Sequence, residues 1–224
     1  MTTTIQLKNY YEFSHILKVI LLGNANSGKT AIVERLTKNK FSLLTNPTIG
    51  GDVQYHHVII NDKIMIKLQI WDICGQQRFY PLAINFTKGS HVIFMVFDQT
   101  DTQSLIDLQT WLLHIKDLIY DPEPLWVIIG NKTDLNGEGS NDNKTVDKEN
   151  VKQLELLINQ IKALNFKHIQ CYLTSAKTGE NIEKTFHDSV SYYFNTILAD
   201  SSITPKENKV SLKSERIQTC CAIL

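Results

Sequence analysis

The chain has 224 residues, and its 23 Lys and Arg balance 23 Asp and Glu, so the formal net charge is zero. No cationic excess exists to displace counterions from a nucleic acid, and a large nucleic-acid-binding surface is excluded on that ground. Hydrophobic residues at 42% and charged residues at 21% allow a full core and exclude general disorder. The longest apolar runs, residues 92–97 and 125–129, fall far short of the roughly 18 residues that span a bilayer. The opening MTTTI carries no secretory pattern, and Thr2 stands where N-myristoylation needs glycine. Cys74, Cys171, Cys220 and Cys221 are spaced neither as a disulfide framework nor as a zinc site, so the chain reads as a reduced, cytosolic protein.

In chain order, a run of branched residues over 16–22 predicts a strand that stops at Gly23, and a helix follows over 31–36. Residues 53–60 and 63–71 flank Asn61-Asp62 and predict a hairpin. Residues 91–97 and 125–129 are two further strands. Between them Leu105, Leu108, Leu112, Ile115 and Ile119 recur at steps of three and four, the mark of an amphipathic helix. Val151, Leu154, Ile158, Ile161 and Leu164 repeat that spacing. A strand over 170–173 and a helix through Ile182, Phe186, Val190, Tyr193 and Ile197 complete the series.

Strands alternating with helices predict an α/β fold. The expected sheet is six-stranded and mostly parallel, with one antiparallel edge strand from the hairpin and helices on both faces. Residues 136–144 (NGEGSNDNK) predict an exposed loop that lacks the downstream Glu of a calcium site. His56 and His57 fall on opposite faces of a strand and cannot share one ion. Beyond about residue 199 the periodicity ends in a polar, flexible tail.

Gly23-Asn24-Ala25-Asn26-Ser27-Gly28-Lys29-Thr30 fits G-x-x-x-x-G-K-[ST] between a strand and a helix. Such a loop aims backbone N–H groups at phosphate oxygens; its Lys29 reaches the β- and γ-phosphates and its Thr30 hydroxyl serves Mg²⁺. Asp72 ends an apolar strand, as a metal-holding carboxylate does, and Gly75-Gln76 follow it. Gly75 offers a bare N–H to a γ-phosphate. Gln76, which has no useful pKa, would place an attacking water rather than act as a strong base. After the strand over 125–129 come Asn131-Lys132-Thr133-Asp134. The Asp134 carboxylate can accept two N–H bonds from guanine, a donor pair that adenine lacks, while the Lys132 stem covers the base. Ser175-Ala176-Lys177 follow the last strand, where the Ala176 N–H would serve the guanine oxygen. At the C-terminus Cys221-Ala222-Ile223-Leu224 fits C-a-a-X with the Leu that favours geranylgeranyl, and Cys220 offers a second lipid site. One lipid holds a membrane only marginally, so two are expected.

These elements in this order resemble the Ras-like small GTPases over roughly residues 16–198. Thr48-Ile49-Gly50, the run W-D-x-x-G-Q-x-R-F and the cysteine-bearing end make the chain most similar to the Rab proteins. The resemblance implies a P-loop NTPase G domain over 16–198, an N-terminal extension over 1–15 and a prenylated tail over 199–224. It implies a switch that binds and slowly hydrolyses GTP with Mg²⁺ and regulates vesicle traffic at the cytoplasmic face of membranes. It assigns Thr48 to the metal and the γ-phosphate, Phe41 to the guanine face, and residues 75–79 to the second switch segment. Exchange factor, activating protein, effectors and a prenyl chaperone are the implied partners. Ala25 departs from the Ras pattern and predicts slow intrinsic hydrolysis that Gln76 leaves open to activation. Gln77 and residues 51–54 depart from the Rab pattern where partners touch. A nucleotide-locked scaffold with little turnover, another Ras-like signalling GTPase, and a phosphotransferase or ATPase on the same loop remain the rival readings.

Overall fold

The computed structural model describes residues 13–43, 46–62, 64–118, 123–135 and 148–198. The expectations for the 136–144 loop, for the 199–224 tail and for Cys220 and Cys221 lie outside the described residues. In order the described elements are β1 (Phe13–Leu22), α1 (Lys29–Lys38), β2 (Gly51–Ile60), β3 (Ile64–Ile73) and α2 (Tyr80–Thr87). They continue with β4 (Val92–Asp98), α3 (Thr102–Ile115), β5 (Leu125–Asn131), α4 (Lys148–Ala163), β6 (Ile169–Leu173) and α5 (Ile182–Tyr192). The strands form a six-stranded sheet in the order β2-β3-β1-β4-β5-β6. Only β2 and β3 pair antiparallel; the other described pairs are parallel.

The side-chain period of two explains why both faces need helices. On β4, Ile93, Met95 and Phe97 enter one apolar cluster, while Val92, Phe94 and Val96 enter the other. Trp126 and Ile128 of β5 join the first, and Leu125, Val127 and Ile129 the second. The first cluster is closed by α2, α3 and α4, and the second by α1 and α5. Strands buried on both faces must read as unbroken apolar runs, as β4 and β5 do.

The hairpin turns through Asn61 and Asp62, both at positive φ (52° and 56°), a conformation these two residue types tolerate. Pairing resumes with Ile60 opposite Ile64. Three details depart from the sequence reading. β1 starts at Phe13, earlier than its apolar run, because β3 runs beside it and supplies backbone partners from Met65 onward. α2 has no amphipathic stripe in YPLAINFT, yet Tyr80, Ala83 and Thr87 bury one face behind a proline in its first turn. The last helix widens into a π-type turn over Tyr193–Leu198, which keeps Tyr193 and Ile197 in the core.

At β1 the strand order reverses, with β3 on one side and β4 on the other. In such sheets the crevice beyond the carboxyl ends of the strands is where ligands bind. The loops after β1, β3, β5 and β6 all open there.

Candidate functional site

A cleft of about 500 Å³ occupies this end of the sheet. Its wall carries Ala25, Asn26, Gly28, Lys29 and Thr30 from the loop after β1, and Phe41 and Thr48 from the segment between α1 and β2. Gly75 and Gln76 line it from beyond β3, Asn131, Lys132 and Asp134 from β5 onward, and Ala176 and Lys177 from beyond β6. Gly23, Asn24, Ser27, Asp72 and Ser175 stand behind this wall and hold it. The sequence thus places every described candidate in or directly behind one cleft. Leu43, Asn46, Pro47 and Leu135 line it as well, without a motif to announce them.

Asn131 organises the base end. Its side chain is 1% exposed, and its Nδ2 donates to the Ser27 carbonyl at 3.0 Å. Its Oδ1 accepts from the Ala176 N–H at 3.2 Å and from the Thr174 hydroxyl at 3.3 Å. One carboxamide thereby joins the loops after β1, β5 and β6. Gly28 permits the approach: it sits at φ 95°, and a Cβ there would lie 2.2 Å from Asn131 Nδ2. The Ala176 N–H, which the sequence reading assigns to the guanine oxygen, donates to Asn131 Oδ1 in this joint.

Asp134 accepts from Ser175 Oγ at 2.5 Å, and Lys177 Nζ lies 3.4 Å from its other oxygen. Lys132, at φ 71°, is fixed by an ion pair of 2.6 Å with Asp98 at the end of β4. Burial opposes the Asp98 charge, but hydrogen bonds from Lys132 and Thr100 outweigh it and hold that carboxyl below its ordinary value. The carboxylate ending β4 was a sequence signal of the same kind as Asp72, and it escaped notice for want of a motif around it.

The phosphate end is built on Lys29. It is 6% exposed, and its ammonium donates to the carbonyls of Gly23 (2.8 Å) and Asn24 (2.7 Å). Burial lowers it from its usual value to about 8, with Asp72 pulling the other way. The Asn24 side chain turns to α3, donating to Asp107 at 2.5 Å and accepting from the Trp111 indole at 3.4 Å. Gly75 lies flat on the same loop. A Cβ there would meet backbone atoms of residues 23–25 at 2.4 Å, and its carbonyl accepts from the Ala25 N–H at 3.2 Å. Gln76 Oε1 accepts from Arg78 Nε at 2.8 Å.

Thr30, Thr48 and Asp72 converge although they are remote in sequence. Thr30 Oγ1 donates to Asp72 Oδ2 at 2.5 Å and lies 3.0 Å from Thr48 Oγ1; Thr48 Oγ1 is 3.4 Å from the same carboxylate oxygen. Burial raises the Asp72 carboxyl above its ordinary value, and the Thr30 hydroxyl and Lys29 only partly offset it. Asp72 Oδ1 is buried with no hydrogen-bond partner among the described residues. Two hydroxyls and an under-satisfied carboxylate form the hard oxygen set that suits Mg²⁺. No cluster of three His, Cys, Asp or Glu side chains exists among the described residues. A cation here would therefore share its ligands with phosphate and water, as Mg²⁺ does.

Because Gly28 makes room for Asn131, the Gly28→Ala chain should lose that joint while keeping its core. Amide exchange at Ala176 is expected to quicken at least about tenfold, the cost of one buried hydrogen bond. Hydrogen-exchange mass spectrometry reads this, and unchanged exchange at Ala176 would contradict the assignment of Asn131.

Comparison with known proteins agrees with this geometry. The model of the Ras family matches residues 18–194. The Ypt/Rab-type GTPase ypt7 of Schizosaccharomyces pombe is 28% identical over 214 residues, covering 92% of this chain and 96% of the relative. Ras-related protein Rab7 of Drosophila melanogaster is 34% identical over 174 residues, covering 76% and 77%. The Ypt/Rab-type GTPase YPT7 of Saccharomyces cerevisiae is 31% identical over 179 residues, covering 78% and 79%. Matched by the family model over residues 18–194 and by these relatives along most of its length, the chain belongs to the Ras family of small GTPases and is of the Rab-like kind.

Proposed function

We propose that the cleft holds a guanine nucleotide with Mg²⁺ and that the chain works as a membrane-anchored switch in vesicle traffic. The observation that carries this reading is the joint placement of Asp134 and of the Thr30–Thr48–Asp72 oxygens at opposite ends of one cleft. Asp134 faces where N1 and N2 of guanine would donate, Lys132 and Phe41 flank the base, and the backbone of residues 24–29 with Lys29 receives the phosphates. Ser175 and Lys177 keep Asp134 aimed.

Thr30, Thr48 and Asp72 would hold the metal, which supplies charge neutralisation at the β- and γ-phosphates when bound. Gln76 would orient the attacking water, and releasing it from Arg78 is one requirement for that role. Thr48 and Gly75 belong to segments whose order depends on a γ-phosphate, so triphosphate and diphosphate forms present different surfaces to effectors. Exchange factor, activating protein and prenyl chaperone are the regulators this cycle needs. The Ala25 methyl, in the same cleft as Gln76, favours a slow intrinsic rate.

Base choice is the direct test. Replacing Asp134 by Asn turns an acceptor pair into an acceptor and a donor, which matches the C2 carbonyl of xanthine. The Asp134→Asn chain should lose GDP affinity by at least about 100-fold and gain affinity for xanthosine diphosphate. Competition binding checks this, and an unaltered order of preference would favour a phosphate-only site.

No described helix is long and apolar enough to cross a membrane, so anchoring falls to Cys220 and Cys221. With both changed to Ser, the chain expressed in a eukaryotic cell should move from the membrane fraction to the soluble one. Equal membrane content for both chains would count against lipid anchoring.

A further inference from the structure

The base loop is held from outside the motifs by Arg35, whose guanidinium fork projects from the second turn of α1. Arg35 Nε donates to the Ala176 carbonyl at 2.8 Å, and Nη2 donates to the Lys177 carbonyl at 2.6 Å. Its Nη1 donates to the Asn39 side-chain oxygen at 3.0 Å and approaches the Asn39 carbonyl at 3.4 Å. Asn39 ends α1 in the left-handed conformation, φ 50°, two residues before Phe41. One side chain thus joins three things: the helix that begins at the phosphate loop, the loop that faces the base, and the root of the segment that carries Phe41.

The direction of these bonds matters. In a trans peptide the carbonyl and the following N–H point to opposite sides. With the Ala176 carbonyl drawn to Arg35, the Lys177 N–H is turned away from it, in a loop that lines the cleft. The next N–H, of Thr178, donates to Ser175 Oγ at 3.1 Å, and the Ala176 N–H is taken by Asn131. Arg35 therefore orients the peptide that carries the Lys177 N–H, between two neighbours whose N–H groups are already bonded.

We infer that Arg35 is a positioning residue for nucleotide retention: its fork holds the base loop and the Phe41 segment in one arrangement and so sets how long a guanine nucleotide stays bound. This rests on the guanine reading of the cleft. Arg35 touches no reacting group, so its influence falls on release far more than on hydrolysis. A lysine cannot replace it, because a single ammonium cannot reach two successive carbonyls and Asn39 in the planar geometry of the fork.

The test uses the full-length chain loaded with a fluorescent GDP analogue and chased with excess unlabelled GDP in Mg²⁺. Arg35→Ala should release the analogue about tenfold faster than the unaltered chain, the scale expected for losing charge-assisted hydrogen bonds. Arg35→Lys, which keeps the charge and the helix, should release it nearly as fast as Arg35→Ala. Single-turnover hydrolysis of preloaded GTP should shift at least about threefold less than release does. Release at the original rate in both variants overturns the inference, as does full retention by Arg35→Lys or an equal loss in release and hydrolysis. An unaltered chain that holds ADP as long as GDP overturns the guanine reading itself, and the inference with it.

Discussion

A single buried carboxamide makes the cleft one object. At the end of β5, Asn131 donates to Ser27 and accepts from Thr174 and Ala176, and so ties together the loops after β1, β5 and β6. Left unpaired in this dry setting, each of those polar groups would cost on the order of 1–3 kcal/mol, so the loops are stable in this arrangement and strained out of it. The sheet brings the loops to one edge; Asn131 fixes their spacing, and Gly28 is glycine because nothing larger leaves room for it. The loop that bears Lys29 and the loop that bears Ala176 are in this way mechanically connected.

The opposite end of the cleft is built on buried charge. Lys29 is buried and spends its donors on the carbonyls of its own loop, while Asp72 keeps one buried oxygen without a partner. Both charges are held against a desolvation cost, which a phosphate for the first and a cation for the second would relieve. The result is a site whose ligand completes its electrostatics. Gly75 rests on this same loop, its carbonyl accepting from the Ala25 N–H.

Much of this was legible from residue types alone. β4 and β5 announced themselves as unbroken apolar runs, and α3 and α4 as stripes, because burial on two faces and on one face leave different periods. The phosphate loop, Asp72 and the Asn131–Asp134 run were readable because their spacing is itself the chemistry. α2 was not, since YPLAINFT is apolar all round and its helix is imposed by packing against Trp111 and its neighbours. Arg35 and Asp98 were invisible for a different reason. Each acts on a loop more than thirty residues away, and no local pattern records such a contact. The bond from the Ala176 N–H to Asn131 is unreadable for the same reason, since its partner is 45 residues distant.

The central claim is that this cleft selects guanine at one end and needs a divalent cation at the other. Calorimetric titration of the nucleotide-stripped full-length chain with GDP and with ADP, each with and without Mg²⁺, tests both halves at once. The account predicts that GDP binds at least about 1,000-fold more tightly than ADP and that Mg²⁺ strengthens GDP binding. Equal affinities for the two nucleotides, or GDP binding indifferent to Mg²⁺, would contradict it.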